Sequence, residues 1–110
     1  MNESEPAPVT DGRDYLGDLA PKFAAINDDV LFGQVWSRTT QLPPRDRSLI
    51  TVAALMGAGI TDESLKGHLQ RAKDNGVTRE EMVEAITQLA FYAGWPKAWA
   101  AFALVANIYA

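Results

Sequence analysis

The 110-residue chain contains no cysteine. That excludes a disulfide framework, a thiolate zinc site and any thiol-based redox or nucleophilic mechanism. Histidine occurs once, at His68, so one chain holds neither a multi-histidine metal centre nor an HExxH arrangement. No metal and no cofactor is expected. Basic residues are also scarce, 10 Lys and Arg against 14 Asp and Glu, for a net charge of −4. No cationic surplus is left to neutralise phosphates, and nucleic acid is not an expected partner. The longest apolar run, Ala98 to Ala106, falls short of the roughly 20 residues of a membrane span, so no membrane association is expected. Met1 to Thr10 is polar, acidic and proline-bearing, without the charged start and apolar stretch of a signal peptide, which makes the cytoplasm the default location.

The chain does have the makings of a folded core. Hydrophobic residues make up 47% and charged residues 22%, an ordinary globular balance. A chain of this length is expected to form one domain that buries roughly two-thirds of its unfolded surface. Residues 1–14 read as a flexible arm with prolines, acids and no periodic apolar face, leaving 15–110 for the domain.

The periodicity is helical throughout. A short element is expected around Tyr15 to Leu19, and Pro21 suits the first turn of a helix over Pro21 to Trp36 carrying Phe23, Ile26 and Val30. Pro43-Pro44 starts the next helix. Its Leu49 to Ala58 stretch is almost wholly apolar, which predicts a central helix with no face for water. Thr61 is a candidate N-cap, with Asp62 and Glu63 in the first turn, and Leu65, His68, Leu69 and Ala72 share one face. Asn75-Gly76 supplies a left-handed stop, and Thr78 with Glu81 forms a capping box. Met82, Ala85, Ile86, Leu89, Ala90 and Ala93 form the stripe of the following helix, until Gly94-Trp95-Pro96 breaks it and begins the last one. The expectation is an all-α bundle of about five to six helices. A terminal helix apolar all round in so small a domain points to burial by a neighbouring subunit, hence a homo-oligomer.

Several side chains are candidates for chemistry. His68, on a half-apolar face, is either a proton donor or acceptor near neutral pH or a core histidine tied to a backbone carbonyl. Arg45 and Arg47 oppose the dipole at a helix start. Carboxylate binding would explain that placement, and so would a local ion pair with Asp46 or an acid of another helix. Arg38 has the same two readings. Tyr92, Trp95 and Trp99 at the last corner fit core or interface packing, or a pocket wall. Thr61 and Ser64 would need an activating base to act as nucleophiles.

Phe32-Gly33-x-x-Trp36-x-Arg38, Arg47-Ser48-Leu49-Ile50-Thr51, Leu65-Lys66-x-His68-Leu69, Asn75-Gly76-Val77-Thr78-Arg79-Glu80-Glu81 and Tyr92-Ala93-Gly94-x-Pro96-x-Ala98 occur in this order. Together they resemble the carboxymuconolactone decarboxylase family, with its AhpD-like all-helical fold, from about Tyr15 onward. The AhpD branch carries a Cys-x-x-Cys before its histidine. Aligned on His68, those positions hold Thr61 and Ser64, and a hydroxyl cannot cycle through a disulfide, so peroxiredoxin-type activity is excluded.

The resemblance is nearer to the γ-carboxymuconolactone decarboxylase branch, which is cofactor-free. It implies a lyase of aromatic-compound catabolism acting on a small carboxylated lactone, assembled as a trimer or hexamer. It further implies His68 and Arg47 as catalytic residues, and Arg38, Arg45, Tyr92, Trp36 and Trp99 as substrate-binding residues. The chain departs from that branch at Thr39-Thr40, Ser64 and Trp99, which bears on the substrate. The alternative is an oligomeric binding or structural member of the family that has no reaction.

Overall fold

The structure, a computed structural model, describes residues 8–110. Residues 1–7 of the expected arm, and with them most of the stretch read as lacking a signal peptide, lie outside the described residues. The described chain is helical, in the order α1 (Asp11–Leu16), α2 (Pro21–Ala25), a π-wound continuation (Ile26–Val35), α3 (Pro44–Gly57), α4 (Glu63–Asp74), α5 (Arg79–Ala93) and α6 (Trp95–Ile108). It divides into two compact units, one ending at Gln41 and the other spanning Leu42–Ala110. None of its described helices is long and apolar enough to cross a membrane.

In the first unit the polypeptide turns helical at Asp11, inside the stretch read as an arm. The cause is a carboxylate. Asp28, nearly fully buried, accepts hydrogen bonds from the amides of Gly12 (2.8 Å) and Arg13 (3.0 Å) and from the Asn27 side chain (3.0 Å). Arg13 also forks onto Asp29 at 2.9 and 2.8 Å. Burial pushes the Asp28 carboxyl up, but the bonds from Asn27, Arg13 and Gly12 and the Arg13 charge outweigh it and hold it below the ordinary carboxylate range. Gly12 leaves no room for a side chain, since a Cβ there would lie 2.7 Å from the Ala24 carbonyl oxygen and from Asp28 Oδ1.

The helix expected over Pro21–Trp36 forms with those limits, but from Ile26 it winds as a π-helix, with Trp36 N donating to Leu31 O at 2.9 Å. Ile26, Val30, Leu31 and Val35 recur at spacings of four to five residues, which this wider winding keeps on one side. All four remain exposed.

The second unit is built on an apolar cluster in which Met56, Leu65, Leu69, Met82 and Ile86 are fully buried, each stabilising the fold by about 1.5–3 kcal/mol relative to exposure. α3 contributes the fully buried stripe Ser48, Val52, Met56, with Leu49 and Leu55 partly buried against the cluster. The expectation that α3 has no solvent face is corrected by Ile50, which is 58% exposed. Within the unit α3 packs against α4, α5 and α6 and still leaves Ile50 to water.

The corner Asn75–Glu81 is fastened to every helix of this unit. Gly76, at φ +94°, permits the left-handed turn in which Gly76 N reaches Lys73 O (3.1 Å) and Val77 N reaches Ala72 O (2.9 Å), closing α4 in a Schellman motif. The Asn75 side chain donates to the buried Ser48 Oγ of α3 at 3.0 Å. Thr78 and Glu81 form the expected capping box, with reciprocal bonds of 3.0 and 3.1 Å. The other Glu81 oxygen pairs with Arg45 at the start of α3. Beyond α6, Tyr109 donates its hydroxyl to Val77 O at 2.9 Å, while Lys73 Nζ bonds Ile108 O at 2.9 Å.

These contacts rank unequally. Asn75→Ala leaves the buried Ser48 hydroxyl without its donor and should lower unfolding free energy by about 1–3 kcal/mol. Glu81→Gln weakens a pair that is partly exposed on both sides and should cost under about 1 kcal/mol. Urea titrations of the two variants should preserve that order, and the reverse order would contradict the account of the corner.

Candidate active site

The cap of α4 sits one residue later than expected. Asp62, not Thr61, is the N-cap, its carboxylate accepting from Ser64 N at 3.0 Å. An ionised carboxylate at a positive helix end is a stronger acceptor than a neutral hydroxyl, which explains the choice. Leu65, Leu69 and Ala72 then face the core, and His68 falls beside them, half-buried. Burial, and then the Arg71 guanidinium one turn on, lower its pKa from the ordinary 6.5. His68 is therefore a neutral imidazole at pH 7. Its Nδ1 is buried and makes no hydrogen bond, so the backbone-carbonyl tether of the core reading is not at that atom.

The two arginines of the α3 start have different surroundings. Arg45 is taken up by carboxylates, pairing with Asp46 at 3.4 Å and with Glu81. Its local-ion-pair reading is the one the geometry displays. Arg47 instead donates from Nε to Leu42 O at 3.1 Å, an anchor that fixes the plane of the guanidinium. Directly after it, Ser48 is fully buried and tied to Asn75, so the backbone carrying Arg47 is registered against the end of the His68 helix.

Trp36 and Arg38 follow the π-helix of the first unit, with Trp36 stacked on Phe32 (centroids 5.8 Å apart, planes at 18°). Tyr92 and Trp99 flank the α5–α6 corner and are 81% and 71% exposed. A cavity of about 230 Å³ there is lined by Thr87, Ala90, Trp95, Ala98, Trp99 and Phe102. A more polar depression of about 350 Å³ lies among Glu63, Lys66, Gly67, Gln70, Asn107 and Ile108. Neither is lined by His68 or Arg47. No cluster of His, Asp and Glu among the described residues could hold a metal ion.

The Carboxymuconolactone decarboxylase family profile matches residues 21–107. The chain belongs to the carboxymuconolactone decarboxylase family. A 4-carboxymuconolactone decarboxylase of Acinetobacter baylyi (strain ATCC 33305 / BD413 / ADP1) is 37% identical over 94 residues, which covers 86% of this chain and 69% of that protein. Within the family, the absence of cysteine sets this chain apart from the AhpD branch. Thr61 and Ser64, the counterparts of the AhpD thiols by alignment on His68, flank the Asp62 cap, and the Ser64 amide is engaged in it.

Sequence reasoning did not single out the Ser48–Asn75 pair or the second bond of Glu81. The Asn-Gly stop and the capping box marked the corner, but no local pattern announces partners 27 residues away.

The lowered His68 pKa fixes a sign. The unfolded chain takes up a proton on this side chain near pH 6.5, and the folded chain only at lower pH. Stability should therefore decline as pH falls below 6.5, and His68→Asn should flatten that decline. Urea midpoints at pH 7 and pH 5.5 for both proteins check this, and an equal decline in both would contradict it.

Proposed function

We propose that the protein is a cofactor-free carboxy-lyase acting on a small carboxylated lactone of aromatic-compound breakdown. The observation that carries this reading is the 37% identity, across 86% of the chain, to a 4-carboxymuconolactone decarboxylase. The placement of His68 as a half-buried neutral imidazole supports it. The setting proposed is the cytoplasm, and the working unit a homo-oligomer, a trimer or hexamer as the family resemblance implies.

In the reaction the bond between the lactone carbon and the leaving carboxylate breaks. Its electron pair flows into the conjugated lactone carbonyl as an enolate, carbon dioxide departs, and a proton returns to carbon. Arg47 holds a substrate carboxylate in a guanidinium fork whose Nε is already fixed by Leu42 O. His68, neutral at pH 7, donates a hydrogen bond from a ring N–H to the developing enolate oxygen, where a preorganised donor is worth most. Reprotonation follows from His68 or from water. Arg38, Trp36, Tyr92 and Trp99 are proposed as substrate contacts. Arg45, whose charge is matched by Asp46 and Glu81, has the lesser part.

A specific observation favours a second reading, that of a non-catalytic oligomeric member. Neither described cavity has His68 or Arg47 in its lining. In the catalytic reading, assembly with further copies completes the pocket.

Turnover of γ-carboxymuconolactone and related lactone acids separates the two. Wild type should decarboxylate at least one of them. His68→Ala should lower kcat about 10²–10³-fold, the scale of losing one enolate donor, and Arg47→Lys should act mainly on KM. No turnover on the whole panel, with no ligand raising the thermal midpoint, would overturn the catalytic reading in favour of the second.

A further inference from the structure

The α5–α6 corner combines three features that reach beyond the substrate contacts proposed for Tyr92 and Trp99. First, its aromatic side chains face outward, with Phe91 75%, Tyr92 81%, Trp95 58% and Trp99 71% exposed. At about 150–250 Å² per aromatic side chain, these four present roughly 500–700 Å². That matches or exceeds the largest apolar patches of ordinary monomers and approaches the roughly 800 Å² each partner contributes to a stable interface. Second, Trp95 and Trp99 line the cavity of about 230 Å³ together with Ala90, Ala98 and Phe102, and the hydroxyl of Thr87, which also lines it, is spent on Val83 O of its own helix at 2.7 Å. Phe91 stands beside it, edge-on to Trp95 with centroids 5.8 Å apart. No cation lines this cavity, so it holds no partner for a substrate carboxylate. It has the size and polarity to take an aromatic ring.

Third, the region is nearly free of charge. From Ala85 to Ala110 the only charged side chain is Lys97, and its ammonium points back to Gly57 O at 3.5 Å. All the acids behind the net charge of −4 lie before this stretch. This selects the occupant. A membrane-surface helix would display Lys and Arg on its rim, whereas two copies of an acidic chain avoid like-charge repulsion only where neither carries acids.

We propose that the α5–α6 corner is the surface on which a second copy of this chain docks. The contact is isologous, with the rim rings of each copy, Phe91 foremost, entering the cavity of the other. This rests on the self-association proposed above and adds its location.

Light scattering on purified protein at tens of micromolar tests it, with Phe91→Ser, Trp99→Ser and, in the first unit, Tyr15→Ser as variants and far-ultraviolet circular dichroism as the check on folding. Both ring positions are exposed, so at least one variant should keep its helix content. The expected result is a wild-type mass of at least two 12.0 kDa chains, and a mass at least halved in Phe91→Ser and Trp99→Ser but unchanged in Tyr15→Ser. An assembled wild type whose ring variants assemble equally well overturns the location and leaves self-association standing. A wild-type mass of a single chain overturns both. If that single chain also quenches its tryptophan fluorescence on adding indole, the cavity is a site for small neutral aromatics instead.

Discussion

The corner Asn75–Glu81 is the constraint on which the second unit depends. One short connection ends α4, starts α5, grips α3 through Ser48 and Arg45, and receives the Tyr109 hydroxyl from beyond α6. The buried apolar stripes say which faces meet, but apolar contact is non-directional and leaves registers free to slide. The polar bonds remove that freedom because each has one partner at one distance. Burying Ser48 at the α3 start is tolerable only because Asn75 satisfies it.

His68 inherits its position from this arrangement. It lies on α4, between the Asp62 cap and the Asn75 stop, so both ends of its helix are held. Arg47 adjoins the residue that Asn75 grips. A half-buried imidazole held neutral and a guanidinium with one edge anchored are donor types suited to stabilising charge on oxygen rather than to redox chemistry. Thr61 and Ser64 agree with that, since no thiol remains to shuttle electrons.

Much of this was legible in the residues, and what was not has a common cause. The capping box at Thr78 and Glu81, the Asn75-Gly76 stop, the proline-led starts of α2, α3 and α6 and the break at Gly94 are local signals, and the structure follows them. The α4 cap fell one residue off because Thr61, Asp62 and Glu63 are all plausible acceptors at a helix start. The early start of α1 stems from Asp28, whose partners lie 15 and 16 residues away. The Arg45–Glu81 link and the Ser48–Asn75 bond are likewise long-range, and no periodicity encodes them. The sequence also made α3 look wholly buried, because composition cannot say how many neighbours a helix will have.

The central claim is that His68 works as a neutral imidazole at a carboxylate-binding site. With one histidine in the chain, isotope-labelled histidine gives a single imidazole in a nuclear magnetic resonance titration. The account predicts a midpoint below the ordinary 6.5 and a resonance that moves when a lactone carboxylate is added to wild type but not to Arg47→Lys at the same concentration. A midpoint at or above 6.5, or an imidazole signal indifferent to every lactone acid, would contradict it.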